Sequence, residues 1–109
     1  MADIERLKLE KDIKGLIEIL MTEEGDRRMY ASIALSEMGD EAVEPLMRAL
    51  KEGNEDVKWE VAMALARIGE PAVEPLKKAL KNDDEEFRYY ASIALGNMWI
   101  QGHDFKAEE

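Results

Sequence analysis

A chain of 109 residues, 46% apolar, 37% charged and 6% aromatic, is long enough for one domain with a real core and matches neither a disordered nor an all-β composition. Its 25 acidic residues against 15 Lys and Arg give a formal charge of −10, which argues against nucleic acid as partner, because that affinity is built from cationic contacts, and against anionic membranes. The absence of cysteine removes disulfides, thiolate nucleophiles, iron–sulfur clusters and Cys-bound zinc.

From the amino end, MADIERLKLEKDIKGL sets charges of both signs among its apolar positions. No stretch here or later approaches the roughly 20 apolar residues that span a bilayer. The chain is therefore read as soluble, unprocessed and cytoplasmic. A short helical extension is predicted over residues 2–8, then helices over residues 10–21, 26–38, 41–51, 56–68, 71–81 and 85–101. In the fourth of these six, Val57, Val61, Ala64, Leu65 and Ile68 recur at steps of three and four, which gathers them on one face. Gly69 is expected to close it in a left-handed conformation. Pro75 in the next helix is expected near the amino end, where little of the hydrogen-bond ladder is lost. The turns TEEGD, EGNED and NDDEE are acidic, and Asn54 or Asp56, and Asn82 or Asp84, are candidate N-caps. The last helix has Trp99 where the earlier copies have a capping glycine, so it is expected to run on to Gly102, with residues 103–109 as a frayed tail.

The chain repeats itself at a shift of thirty. YASIAL stands at residues 30–35 and again at 90–95, with EVAMAL at 60–65 between them; A-V-E-P-L stands at 42–46 and at 72–76. A period of this length signals stacked units, none of which can bury its own apolar face alone. The predicted architecture is an all-α superhelix of three helix pairs, one domain over residues 1–102, with units of roughly 9–39, 40–69 and 70–99.

The run from Val57 to Gly69, V-K-W-E-V-A-M-A-L-A-R-I-G, and the D/E-x-A-V-E-P-L-x-x-A-L segments that begin at Asp40 and Glu70 resemble the HEAT-like repeat of the phycobilisome-lyase type. The resemblance covers roughly residues 9–98. It implies an α-solenoid with one set of helices on a convex side and the other lining a concave side, and it implies recognition rather than a reaction. Deoxyhypusine hydroxylase, built on similar repeats, holds iron with repeated His-Glu pairs, whereas His103 is the one histidine here. The HEAT-like DNA glycosylases use a basic channel, and here the charge is of the wrong sign. Bilin lyases use long paired subunits. The resemblance thus implies a non-enzymatic protein-interaction module without cofactor; the alternative is an accessory subunit or degenerate relative of a HEAT-type enzyme such as a bilin lyase, with no catalytic residues of its own.

His103 has only Asp104, Glu108 and Glu109 for company, short of a convergent metal site, and is read as an exposed tail residue. The acidic turns either recruit a basic partner or simply favour the helix amino ends they precede. Glu44 with Arg48 and Glu74 with Lys78 are i,i+4 pairs in the favourable order, while Lys14 and Glu18 run in reverse. With Lys51, Lys77 and Lys81 they form a mixed-charge concave face, to which Ile17, Met21 and Met47 add apolar character.

On the first helix of each pair, positions 59 and 63 fall at about 200° and 240° from Val57, pointing away from the core. The family usually has polar residues there. This chain has Met29 and Ile33, Trp59 and Met63, Tyr89 and Ile93, aligned by the period into a convex apolar stripe. Either the stripe is an interface, with a protein of unknown identity or with a second copy in a homodimer, or the helices are rotated so that these side chains wedge between repeats, with Ser36, Ala66 and Gly96 giving close packing. Ile4, Leu7, Trp99, Ile100 and Phe105 lie near the ends of the stack, either folded back as caps or pairing with another chain.

Overall fold

The computed structural model describes residues 3–100, which form seven α-helices and one 3-10 turn: α1 (Ile4–Leu9), α2 (Ile13–Thr22), α3 (Gly25–Glu37), the turn Gly39–Ala42, α4 (Val43–Glu52), α5 (Glu55–Ile68), α6 (Glu70–Ala79) and α7 (Glu85–Ile100). Helices α2, α4 and α6 stack side by side in one layer and α3, α5 and α7 in the other, while each consecutive pair packs across the two layers. The result is an elongated all-α superhelix of 46 × 26 × 19 Å, its smallest dimension that of two helices packed about 10 Å apart.

The period of thirty is the period of the core. Leu16, Leu46 and Leu76 are the same residue of successive units and all three are completely buried. Ala31, Val61 and Ala91 match them in the other layer, also completely buried. At the last unit the cover thins: Leu20 and Leu50 are buried, but their equivalent Leu80 is 39% exposed. Ser32 and Ala62, small residues facing the following unit, are buried, whereas Ser92 is exposed. Among the described residues no fourth unit packs against that face.

Several local details differ from the sequence reading. The helix expected from residue 10 begins at Ile13, because Lys11 takes a positive φ of 55° and Asp12 caps the new helix by accepting from the Gly15 N–H at 2.9 Å. The Glu10 N–H instead donates back to the Arg6 carbonyl and closes α1. Gly69 has φ 82° and ψ −129°, so its φ is positive but its ψ lies outside the left-handed helical basin. Asn54 caps α5 through the Val57 N–H at 2.9 Å, and Asp84 accepts from the Glu86 and Phe87 N–H groups at the start of α7.

The two A-V-E-P-L copies also fold differently. In the first, residues 39–42 form a 3-10 turn and α4 starts after it; in the second, α6 starts at once at Glu70. The second copy has Pro71 where the first has Glu41, and proline pre-sets the helical φ at the first turn of an α-helix. Pro75 thereby becomes the sixth residue of α6, deeper than expected, and cannot donate to the Pro71 carbonyl. Helix α6 closes at Ala79, with the Leu80 N–H shared between the Leu76 and Lys77 carbonyls at 3.2 Å each. The expectations for residues 101–109, including the continuation to Gly102, the tail, His103 and Phe105, lie outside the described residues.

Candidate protein-interaction surfaces

The α3–α5–α7 layer carries the apolar stripe. Met29, Trp59 and Tyr89, one on each helix, are 37%, 50% and 59% exposed. Ile33, Met63 and Ile93, one turn further on, are half-buried, and Met63 and Ile93 pack against the core. In the second and third units the amino-terminal member of the pair projects and the carboxy-terminal member packs against the core, while Ile33 of the first unit borders a hollow beside α1. Tyr89 meets Tyr90 edge to face, ring centroids 5.2 Å apart.

Tyr30, not singled out by sequence, is 52% exposed beside Met29 and widens the stripe at the first unit. With Ile33, Arg27, Lys8 and Glu37 it borders a hollow of about 380 Å³ between α1 and α3. The signal was available: the Tyr of the first YASIAL stands where the middle copy has Glu60. An ion pair between Lys8 and Glu37 ties α1 to α3. The hydrogen bond to Glu37, and then its negative charge, raise the Lys8 pKa above its ordinary value. Arg27 bonds Glu23 at 2.6 Å and holds that carboxyl below the usual range.

Between neighbouring helices of this layer lie two buried cations. Lys58 of α5 is 6% exposed and reaches Glu86 of α7 at 2.5 Å; its equivalent Arg28 on α3 is 8% exposed, and among the described residues its Nε has no hydrogen-bond partner. Lys58 and Glu86 are 28 residues apart, as are Ser32 and Glu60, which bond at 3.1 Å across the preceding junction. These polar ties pin the register of adjacent units. Tyr90, buried beneath the same junction, has its phenol pKa raised, first by burial and then by Glu55 and Glu86.

On the other layer a groove of about 1050 Å³ runs between α4 and α6. Arg48, Lys51, Lys77, Lys78 and Lys81 line it with Glu44 and Glu74, and Met47, Pro75, Leu80 and Phe87 supply its apolar surface. Met47, expected on this face, is 8% exposed and forms floor rather than rim. Ile17 and Met21, expected on the same face, are half-buried on α2 and lie away from the groove. The expected pairs of Glu44 with Arg48, Glu74 with Lys78 and Lys14 with Glu18 are not within ion-pair distance; the ion pairs among the described residues are elsewhere. Exposed side chains gain too little from such contacts to hold them against their own rotamer entropy.

Among the described residues no three His, Asp or Glu side chains gather as a metal site, and no helix is long and apolar enough to cross a membrane. The family model described as HEAT repeats matches residues 13–98, which spans α2 through α7. The chain belongs to the HEAT-repeat family. The match runs over all three helix pairs, so the stripe and the groove are both built within HEAT repeats and neither lies on an appendage. No curated protein matches the chain.

Proposed function

We propose that this protein is a non-catalytic protein-interaction module, a single domain of three HEAT-like units whose outer stripe docks a partner. The observation that carries the reading is the exposure of Met29, Trp59 and Tyr89 at one position of three successive units. A solvated layer needs polar side chains there; large apolar ones, with Tyr, Trp and Met enriched at interfaces, are what a binding surface needs. The occupant is a protein, either a second copy or a different chain, and the −10 charge disfavours nucleic acid and anionic membrane. The A-V-E-P-L segments favour the phycobilisome-lyase type within the family, with any chemistry belonging to the partner. A cytoplasmic setting fits the absence of cysteine.

The test is the mass of the species that carries the protein in extracts of its source. The parent should sediment above the 12.4 kDa of one chain, and Trp59→Glu should fall back to it. A parent already at monomer mass, or a variant that stays in the larger species, contradicts the proposal.

A further inference from the structure

We propose that the α4–α6 groove is a second binding site, and that its ligand is an acidic, amphipathic protein segment. The groove is separate from the outer stripe, so this inference stands or falls independently of the function proposed above.

Charge is the first argument. Five cations and three carboxylates, Glu44, Glu52 and Glu74, line the groove, a local excess of two positive charges. The rest of the chain is left with ten of its 15 cations against 22 of its 25 carboxylates. A protein so rich in acid could neutralise these cations internally, yet it does not. None of Arg48, Lys77, Lys78 and Lys81 has a carboxylate within ion-pair distance among the described residues, and the Lys51 ammonium instead lies 5.2 Å from the centroid of the Phe87 ring. The excess also builds along the stack. Positions occupied by Ile17, Glu18 and Met21 on α2 become Met47, Arg48 and Lys51 on α4, then Lys77 and Lys78 on α6 and Lys81 in the turn after it.

Shape and polarity narrow the ligand. Leu80 is 39% exposed where its equivalents Leu20 and Leu50 are completely buried, so the cationic rim surrounds an accessible apolar floor. Lys77 lies in the last turn of α6 and Lys81 just beyond the end of that helix, two cations at one end of the groove that a helical ligand can meet with carboxylates at i and i+4, roughly 6 Å apart. A segment with such carboxylates on one edge and an aliphatic or aromatic anchor on its face would satisfy the rim and cover Leu80. A nucleic-acid backbone fits worse: it offers no aliphatic anchor, and its dense phosphate charge would meet Glu44, Glu52 and Glu74 at the same rim.

The probe is a fluorescein-labelled peptide of about 15 residues with Glu at i,i+4 positions and Leu on the adjoining face, long enough to form a helix on binding. Fluorescence anisotropy should show saturable binding that weakens as salt is raised. The double variant Lys77→Glu/Lys81→Glu should weaken it by on the order of a hundredfold, as loss and reversal of two desolvated charge contacts implies. Leu80→Ser should weaken it at unchanged salt dependence, and Trp59→Glu should leave it alone. All four positions are exposed, and far-UV circular dichroism matching the parent verifies each fold. The proposal is overturned if the same peptide with Lys in place of Glu binds equally well, if the double variant binds like the parent, if no saturable binding is seen, or if inorganic polyphosphate competes more tightly than the peptide.

Discussion

Tyr90 is the residue on which the fold's response to pH can be read most directly. Its ring is 9% exposed and lies where Glu55 and Glu86 face it, with Lys58 opposing them, and the net effect is a phenol pKa above the ordinary value of 10.0. The sign follows. A group whose pKa is raised on folding contributes stability that is complete below its unfolded pKa and is lost as pH rises through the folded value. Unfolding should therefore begin to ease above about pH 10, and Tyr90→Phe should flatten that alkaline limb while leaving neutral stability within roughly 1.5 kcal/mol, as a volume-conserving change does. Denaturant midpoints measured across the alkaline range check this; a Tyr90→Phe protein with the parent's alkaline limb would contradict it. Tyr90 was legible as one half of a doubled YASIAL, but its burial was not, because its equivalents Tyr30 and Glu60 are more exposed.

Among the helices, the boundaries are set by a few residues whose chemistry differs within one repeat pattern. Gly69 and Gly96 make the contrast measurable. Gly69 holds φ 82° between α5 and α6, a conformation that costs an L side chain on the order of 1–3 kcal/mol. Gly96 sits inside α7 with nothing within 4 Å of an added Cβ, where alanine should stabilise by about 0.5–1 kcal/mol. Urea denaturation of Gly69→Ala and Gly96→Ala should thus shift in opposite directions; shifts of the same sign would contradict this contrast. The apolar period gave the helices and their partners because three equivalent leucines must share one burial environment. It did not give the break at Lys11, which depends on Asp12 as a cap, or the unequal starts of α4 and α6, which depend on Pro71 standing where Glu41 does.

In the assembled stack, each unit finishes the core of its neighbour, and the two layers are left with different chemistry. The α3–α5–α7 layer offers projecting Met29, Trp59 and Tyr89; the α4–α6 face offers cations around Leu80. The helical wheel left two readings open, an outward stripe or side chains wedged between repeats, and spacing alone could not choose between them; Met29, Trp59 and Tyr89 are exposed, whereas Met63 and Ile93 pack against the core. The groove was half legible: its lysines were on the expected face, but the freedom of those cations from Glu44 and Glu74 is a property of side-chain geometry that spacing cannot supply. The measurement that most directly tests the outer stripe as the docking surface is photo-crosslinking in the native source, with the crosslinker placed in turn at residues 59, 89 and 70. Positions 59 and 89 should give adducts with one common protein, and position 70, an exposed Glu at the start of α6, should give none. Equal adducts from all three positions, or none from 59 and 89, would contradict it.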